Sequence, residues 1–312
     1  MMSMSRESSW PKSALALLPY SRLELPGWGK LLRMTGVLGG NGWQRAPTRT
    51  LRCKNHGYVA SLDLSNWSER LSYFLGRHHE IATALFLRAA VSAGDTFIDV
   101  GANVGLVTLH AASLVGAKGR VHAFEPNPKL ANRLRKIIAL NKLSNVTLHA
   151  AGLSDRAGER TLSIIHNHPG QGTLSDIEHS SSVTEQYRVP ICVADEVLLG
   201  DLSGTVMVKI DVEGYEVHVL RGMHRTLERL RPVFLTEVSA DYLKRAGSSV
   251  AQLFTLMHSF GYVGYRVTTI RGLFHRTLRL MQVLDPAKVV DENIAWLHSQ
   301  SPKTAQLADL IQ

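Results

Sequence analysis

The sequence predicts an α/β protein, a doubly wound, Rossmann-like domain built on a mostly parallel sheet of seven strands. Three observations carry that expectation. Strand-like and helix-like segments alternate over most of the chain. A glycine-bearing turn, Asp99 to Gly105, joins the first strand to a helix. Acidic residues recur where successive strands end.

The elements follow in order. Residues 77–93 read as a helix, with Ile81, Leu85 and Ala89 at helical spacing, broken by Gly94-Asp95. A β-branched and aromatic run at 96–100 is the first strand, and 104–115 is a helix closed by Gly116. Strand 120–124, helix 128–140 and strand 145–150 complete the first half. Strand candidates at 160–165 and 188–193 then flank a polar loop at 166–185, where the rhythm weakens. It resumes with strand 206–210, helix 217–230, strand 232–235, helix 250–259 and strand 261–267. Residues 294–297 are the expected final edge strand.

Composition narrows the function classes. The 312 residues are 45% apolar and 20% charged, with no apolar run of eighteen, so no transmembrane segment is expected. Residues 1–60 carry nine basic and two acidic side chains, a net +7 of the chain's +9. The rest is nearly neutral, which argues against a nucleic-acid groove there. Residues 1–55 therefore read as a partly ordered basic extension, and 56–312 as the main domain. Cys53 and Cys192 match no metal or redox spacing and suit a reducing, cytoplasmic setting. His166, His168, Asp176, Glu178 and His179 lack the tight spacing of a metal site, so no metal is expected.

In a doubly wound sheet, ligands bind beyond the carboxyl ends of the strands, near the switch in strand order. The first strand ends in Asp99-Val-Gly-Ala-Asn-Val-Gly105, the second in Glu125-Pro-Asn127, and the third runs into Ser154-Asp155. The fourth ends in Lys209-Ile-Asp-Val-Glu-Gly214 and the fifth in Thr236-Glu237. Gly101 permits the tight turn, and Gly105 lets the next helix come close. Asn103 stands where a dinucleotide fingerprint needs its second glycine. Glu125 is placed to accept both hydroxyls of a ribose. With no lysine or arginine in the turn, the acids suit a cationic, phosphate-free cofactor such as S-adenosylmethionine.

These four motifs, with Leu220-Arg-Gly222 and 231–237 in order behind them, resemble FkbM-type methyltransferases over roughly residues 56–242. The resemblance implies the class I methyltransferase form of the fold, S-adenosylmethionine as cofactor and methylation of a hydroxyl on a sugar, glycan or other secondary metabolite. By position, Asp99, Gly101, Asn103 and Gly105 would line the amino-acid half of the cofactor. Glu125 would hold the ribose, and Ser154 with Asp155 the adenine edge. Where the family often has Leu-Asp, this chain has Ala194-Asp195.

Methylating a hydroxyl requires orientation and removal of a proton. Lys209 and Asp211 share one strand face, so an ion pair and a catalytic role are both open to them. Asp211 or Glu213 is the expected general base, with Glu237 and His218 behind them. Two other classes compete. A nicotinamide-dependent oxidoreductase would leave the Ser154-Asp155 and 209–214 motifs unexplained, and a non-catalytic scaffold would use the fold for binding alone.

Overall fold

The computed structural model describes residues 15, 18–24, 27–39, 42–165, 172–174, 183–202, 204–272 and 276–312. The chain divides into two compact units, one ending at His79 and one beginning at Glu80. The candidate metal residues His166, His168, Asp176, Glu178 and His179 lie outside the described residues.

The first unit has its own small core. Strand Thr48–Arg52 pairs antiparallel with Val59–Asp63, so part of the expected extension is paired structure. Asn66 starts helix Trp67–Leu75 by accepting from the backbone N–H groups of Ser68 and Glu69. Trp43 is buried against Phe74 with the Arg70 guanidinium 5.0 Å from its ring centre.

The second unit holds an eight-stranded sheet. Its strands are β1 (Thr96–Val100), β2 (Arg120–Phe124), β3 (Val146–His149), β4 (Val206–Ile210), β5 (Val233–Ser239), β6 (Tyr262–Arg271), β7 (Arg276–Gln282) and β8 (Asp291–His298). Their spatial order is β7-β6-β8-β5-β4-β1-β2-β3. The pairs β3-β2-β1-β4-β5 are parallel, and β8, β6 and β7 join antiparallel. The order reverses between β1 and β4, which is where such sheets open a crevice.

The doubly wound, mostly parallel Rossmann-like architecture is therefore present, with two differences. There are eight strands rather than seven, because Arg276–Gln282 turns back along β6 as a further strand. Residues 294–297 belong to an interior strand, not an edge. β8 lies between β5 and β6, which fits its fully buried run Ile294, Ala295 and Trp296.

Side-chain alternation assigns the faces. Ile98, Val100, Val208, Ile210 and Phe234 pack in one cluster with residues of helices Glu216–Arg221, His224–Arg229 and Val250–Ser259. Asp99 points to the other face, where Thr108 of helix Leu106–Val115 donates to its Oδ2 at 2.6 Å. The sheet is thus covered on both sides.

A second sheet of four strands, two long and two of two residues, takes up the segment where the rhythm weakened. Val183–Cys192 pairs antiparallel with Gly158–Ile165 and parallel with Gly152–Leu153, and Gly172–Thr173 pairs with the edge of Gly158–Ile165. No helix among the described residues is long and apolar enough to cross a membrane.

Residues 217–230, expected as one helix, form two. Asp195 marks the junction, its carboxylate accepting from the N–H groups of Arg225 (2.6 Å) and Thr226 (3.0 Å) and from the Thr226 hydroxyl (2.7 Å). These satisfy donors at the start of the second helix that would otherwise be orphaned. Asp195→Ala should lower stability by about 1–2 kcal/mol in urea unfolding. An unchanged midpoint would show that the junction does not depend on this carboxylate.

Candidate active site

The carboxyl ends of β1, β2, β4 and β5 meet in a cleft of about 790 Å3, counting its open mouth. Gly101, Asn103, Glu125, Asp211, Glu213 and Glu237 supply its polar lining. Pro126, Leu130, Leu153, Leu162 and Leu174 form an apolar wall, with Leu153 and Leu162 on strands of the second sheet and Leu174 just after one.

The turn after β1 comes very close to the end of β4. Asp211 N–H donates to the Val100 carbonyl at 3.0 Å. Gly101 sits at φ +81, and a Cβ there would lie 1.9 Å from the Asp211 carbonyl oxygen. Only glycine meets both conditions. Asn103 follows at φ +51, a conformation asparagine tolerates better than most residues. This turn directs the Asn103 N–H at Glu125 Oε2, 2.7 Å away, while the Asn127 N–H holds Oε1 at 2.8 Å. Burial raises the Glu125 carboxyl to about 7 against the pull of those two N–H groups. Each oxygen keeps a lone pair for a further donor.

Beneath the cleft floor Lys209 is almost wholly buried. Its ammonium donates to Asp211 Oδ2 at 2.8 Å and to the Gly101 carbonyl at 3.3 Å, and stands 3.8 Å from Asp99 Oδ1. Burial alone would lower its pKa, but the Asp211 and Asp99 carboxylates outweigh it and hold the ammonium charged. Asp99 is completely buried, and burial pushes its carboxyl up against the opposing pull of Lys209.

Around Asp211 the site is crowded with acid. Glu213, at the strained φ of +53, is raised to about 8 by burial and then by Asp211. Glu237 is raised to about 10, by the Asp211 charge first and burial second. Glu80, at the start of helix Ile81–Ala90, is raised by burial and by Asp211. Glu216 braces the loop from below, its Oε1 accepting from the N–H groups of Val212 (3.3 Å) and Gly214 (3.1 Å).

The residues expected from sequence thus divide in two. Gly101, Asn103, Glu125, Asp211 and Glu213 line one cleft. Asp99 and Lys209 lie behind its lining as a charged support. Gly105 packs on the helix Pro128–Leu140, where a Cβ would reach Leu134 at 2.3 Å. Ser154 and Asp155 are not in the lining, which Ala151, Gly152 and Leu153 supply instead. The Ser154 hydroxyl bonds Asp155, Asp155 faces His218 at 3.6 Å, and a Cβ on Gly222 would strike the Ser154 carbonyl at 2.2 Å.

Sequence reasoning missed Glu80, Tyr215, Leu162 and Leu174. Tyr215 directly follows the Glu213-Gly214 motif and could have been found by that adjacency. Glu80 precedes the first strand of the sheet, Leu162 lies in a strand candidate that no pattern joined to the site, and Leu174 falls in the polar loop at 166–185.

The composition of the cleft suits S-adenosylmethionine. A carboxylate at the cleft wall suits ribose hydroxyls, the apolar wall suits a purine, and the acids of β4 and β5 suit a cation. Among the described residues, no lysine, arginine or histidine lines the cleft to grip a phosphate.

The family profile of the FkbM methyltransferase domain matches residues 99–263, more than half of the chain. The chain belongs to the FkbM methyltransferase family. S-adenosylmethionine is the cofactor that goes with this membership. The chain is 28% identical over 164 residues to Methyltransferase 1 of Beauveria bassiana, covering 47% of this chain and 66% of that protein. It is 30% identical over 142 residues to the hexuronic acid methyltransferase AglP of Haloferax volcanii, covering 45% and 55%. These matches span less than two thirds of either relative's own length. A crystal structure of an FkbM methyltransferase from Methylobacillus flagellatus is a loose likeness, with TM-score 0.42 and 12% identity over 92% of this chain and 60% of that one.

Two outcomes follow from this geometry. Gly101→Ala should lower the melting temperature and abolish binding of S-adenosylhomocysteine, because the Asp211 carbonyl must move; near-normal binding would show that the turn can relax. The raised carboxyls of Glu213 and Glu237 bind protons in the fold that the unfolded chain has already lost at pH 7. Stability of the free protein should therefore fall as pH rises from 7 to 9, and Glu213→Gln with Glu237→Gln should flatten the slope. Urea midpoints across that range would test this, and a midpoint rising with pH would contradict it.

Proposed function

We propose that the chain methylates a hydroxyl of a sugar, glycan or other secondary metabolite, using S-adenosylmethionine. The observation that carries this reading is the cluster of acids at the ends of β4 and β5, which opens into the same cleft as Glu125. When bound, the sulfonium supplies a methyl group with a thioether as leaving group. The chain's own residues do the rest.

Glu125 anchors the ribose through oxygens already oriented by Asn103 and Asn127. Gly101 and Asn103 offer backbone to the amino-acid half, and Asp211 with Glu213 lies where an acceptor hydroxyl would be oriented and deprotonated. Lys209 donates a hydrogen bond to Asp211 that fixes its carboxyl group. The closed, apolar side of the cleft keeps water away from the reacting atoms.

A hydroxyl acceptor is consistent with the named substrate class of the Haloferax relative, since a hexuronic acid offers hydroxyls as well as a carboxylate. The two products differ chemically. Methylation of a hydroxyl gives an alkali-stable ether, and methylation of a carboxylate gives an alkali-labile ester.

Transfer of labelled methyl to a panel of neutral sugars and hexuronic acids, followed by alkali treatment, tests the reading. We expect alkali-stable label. Asp211→Asn should lower kcat by about 10²–10⁴-fold, and Glu125→Ala should remove cofactor binding in calorimetry while leaving the fold intact. Alkali-labile label would reassign the acceptor group, and full binding by Glu125→Ala would displace the ribose role.

A further inference from the structure

We propose that Glu237 takes the proton of the acceptor hydroxyl, and that it becomes charged only when a cationic ligand enters the cleft. The inference rests on the methyl-transfer reading above and adds the identity and the timing of the base.

Strand register places the pair. Ile210 and Thr236 are partners in the parallel pairing of β4 and β5, so Asp211 and Glu237 are the next residues outward on adjacent strands. By alternation both side chains lie on the face that carries Lys209. Both line the cleft. Asn293 of β8 stands directly opposite Glu237 in the antiparallel pairing.

Charge then decides the state of the pair. The ammonium of Lys209 is already held between Asp211, Asp99 and the Gly101 carbonyl. Facing it are Asp99 and Asp211 with Glu237, and Glu213 and Glu80 border the same group. Asp291 at the start of β8 adds a further negative neighbour to Glu80 and Glu213, and the Tyr242 hydroxyl lies within reach of Glu213 and Glu237. One buried cation cannot balance so many carboxylates, so protons must. Asp211 takes the hydrogen bond from Lys209, and Glu237, whose carboxyl the neighbouring Asp211 charge and burial push up, is the member of the pair without that cation and so the one placed to hold the proton.

A ligand that brings positive charge to this wall removes the reason for the proton. Glu237 then releases it to solvent and is left as a carboxylate. In the methyl-transfer step the acceptor oxygen forms its bond to the methyl carbon. The carbon–sulfur bond breaks with its electron pair on sulfur, and the hydroxyl proton passes to Glu237. Cofactor entry thus precedes and enables deprotonation of the acceptor.

The test is calorimetry of S-adenosylmethionine binding to the full chain at pH 7.5, in buffers of different ionisation enthalpy. About one proton should be released per cofactor bound by the wild type, and about one fewer by Glu237→Gln, which preserves size and shape. Asp211→Asn should also lose the release, since it removes the charge that holds the proton. Wild-type affinity should rise about tenfold per pH unit between pH 6 and 7.5, the slope of a one-proton linkage. Equal proton release by wild type and Glu237→Gln would overturn the proposal. If that variant does not fold, a flat wild-type pH slope would overturn it instead. Absence of binding by the wild type would remove the cofactor assignment itself, a different failure from binding without proton release.

Discussion

The ammonium of Lys209 ties together the two strand ends between which the cleft opens. It bonds the carboxylate that leaves β4 and the carbonyl that leaves β1, with the buried Asp99 3.8 Å away. A lysine so deep in a protein is costly to desolvate, and its partners must compensate it closely. The arrangement is therefore mutual. Without the lysine, the buried Asp99 would face the Asp211 carboxylate with no cation between them, and without the aspartates the lysine would have no reason to stay ionised. The support beneath the cleft is a charge balance, and whatever binds above must respect it.

The backbone around that balance leaves little freedom. Gly101 touches the Asp211 carbonyl, Glu216 holds the N–H groups of Val212 and Gly214, and Glu213 accepts a left-handed conformation between them. Such strain persists only where neighbours over-determine it. Here it fixes the direction of the acids before any ligand arrives, so less ordering is required on binding.

The strand ends were legible because they combine two independent signals, a buried apolar run and an acid at or near its carboxyl end. Glu125 and Asp211 directly follow their strands, and Asp99 and Glu237 lie in the last residues of theirs. Ser154, Asp155 and Gly222 show the limit of motif reading. Gly222 lets its backbone approach the Ser154 carbonyl, the Ser154 hydroxyl bonds Asp155, and a sequence pattern does not separate such packing from ligand contact. Glu80, Leu162 and Leu174 were illegible for another reason. They reach the site through tertiary placement of a helix start and a side sheet, which the local helix and strand patterns at 77–93 and 160–165 do not encode. The eighth strand escaped notice because β7 alternates exposed and buried positions weakly and its partner is only a neighbouring hairpin strand.

Electrostatics also separates the two cofactor classes that the fold alone would admit. A nicotinamide dinucleotide carries a pyrophosphate past the turn after the first strand. In this cleft the turn faces Asp211 across a backbone contact, and among the described residues no cationic side chain lines the wall. Each phosphate charge brought to about 4 Å from an ionised carboxylate would cost about 4 kcal/mol at an effective dielectric of 20. Asn103 adds a side chain where the dinucleotide turn needs bare backbone. A sulfonium with an ammonium meets the opposite field, since the same acids attract it and their excess protons can leave. The acids at the ends of β4 and β5 therefore favour a cationic cofactor over a phosphate-bearing one by charge.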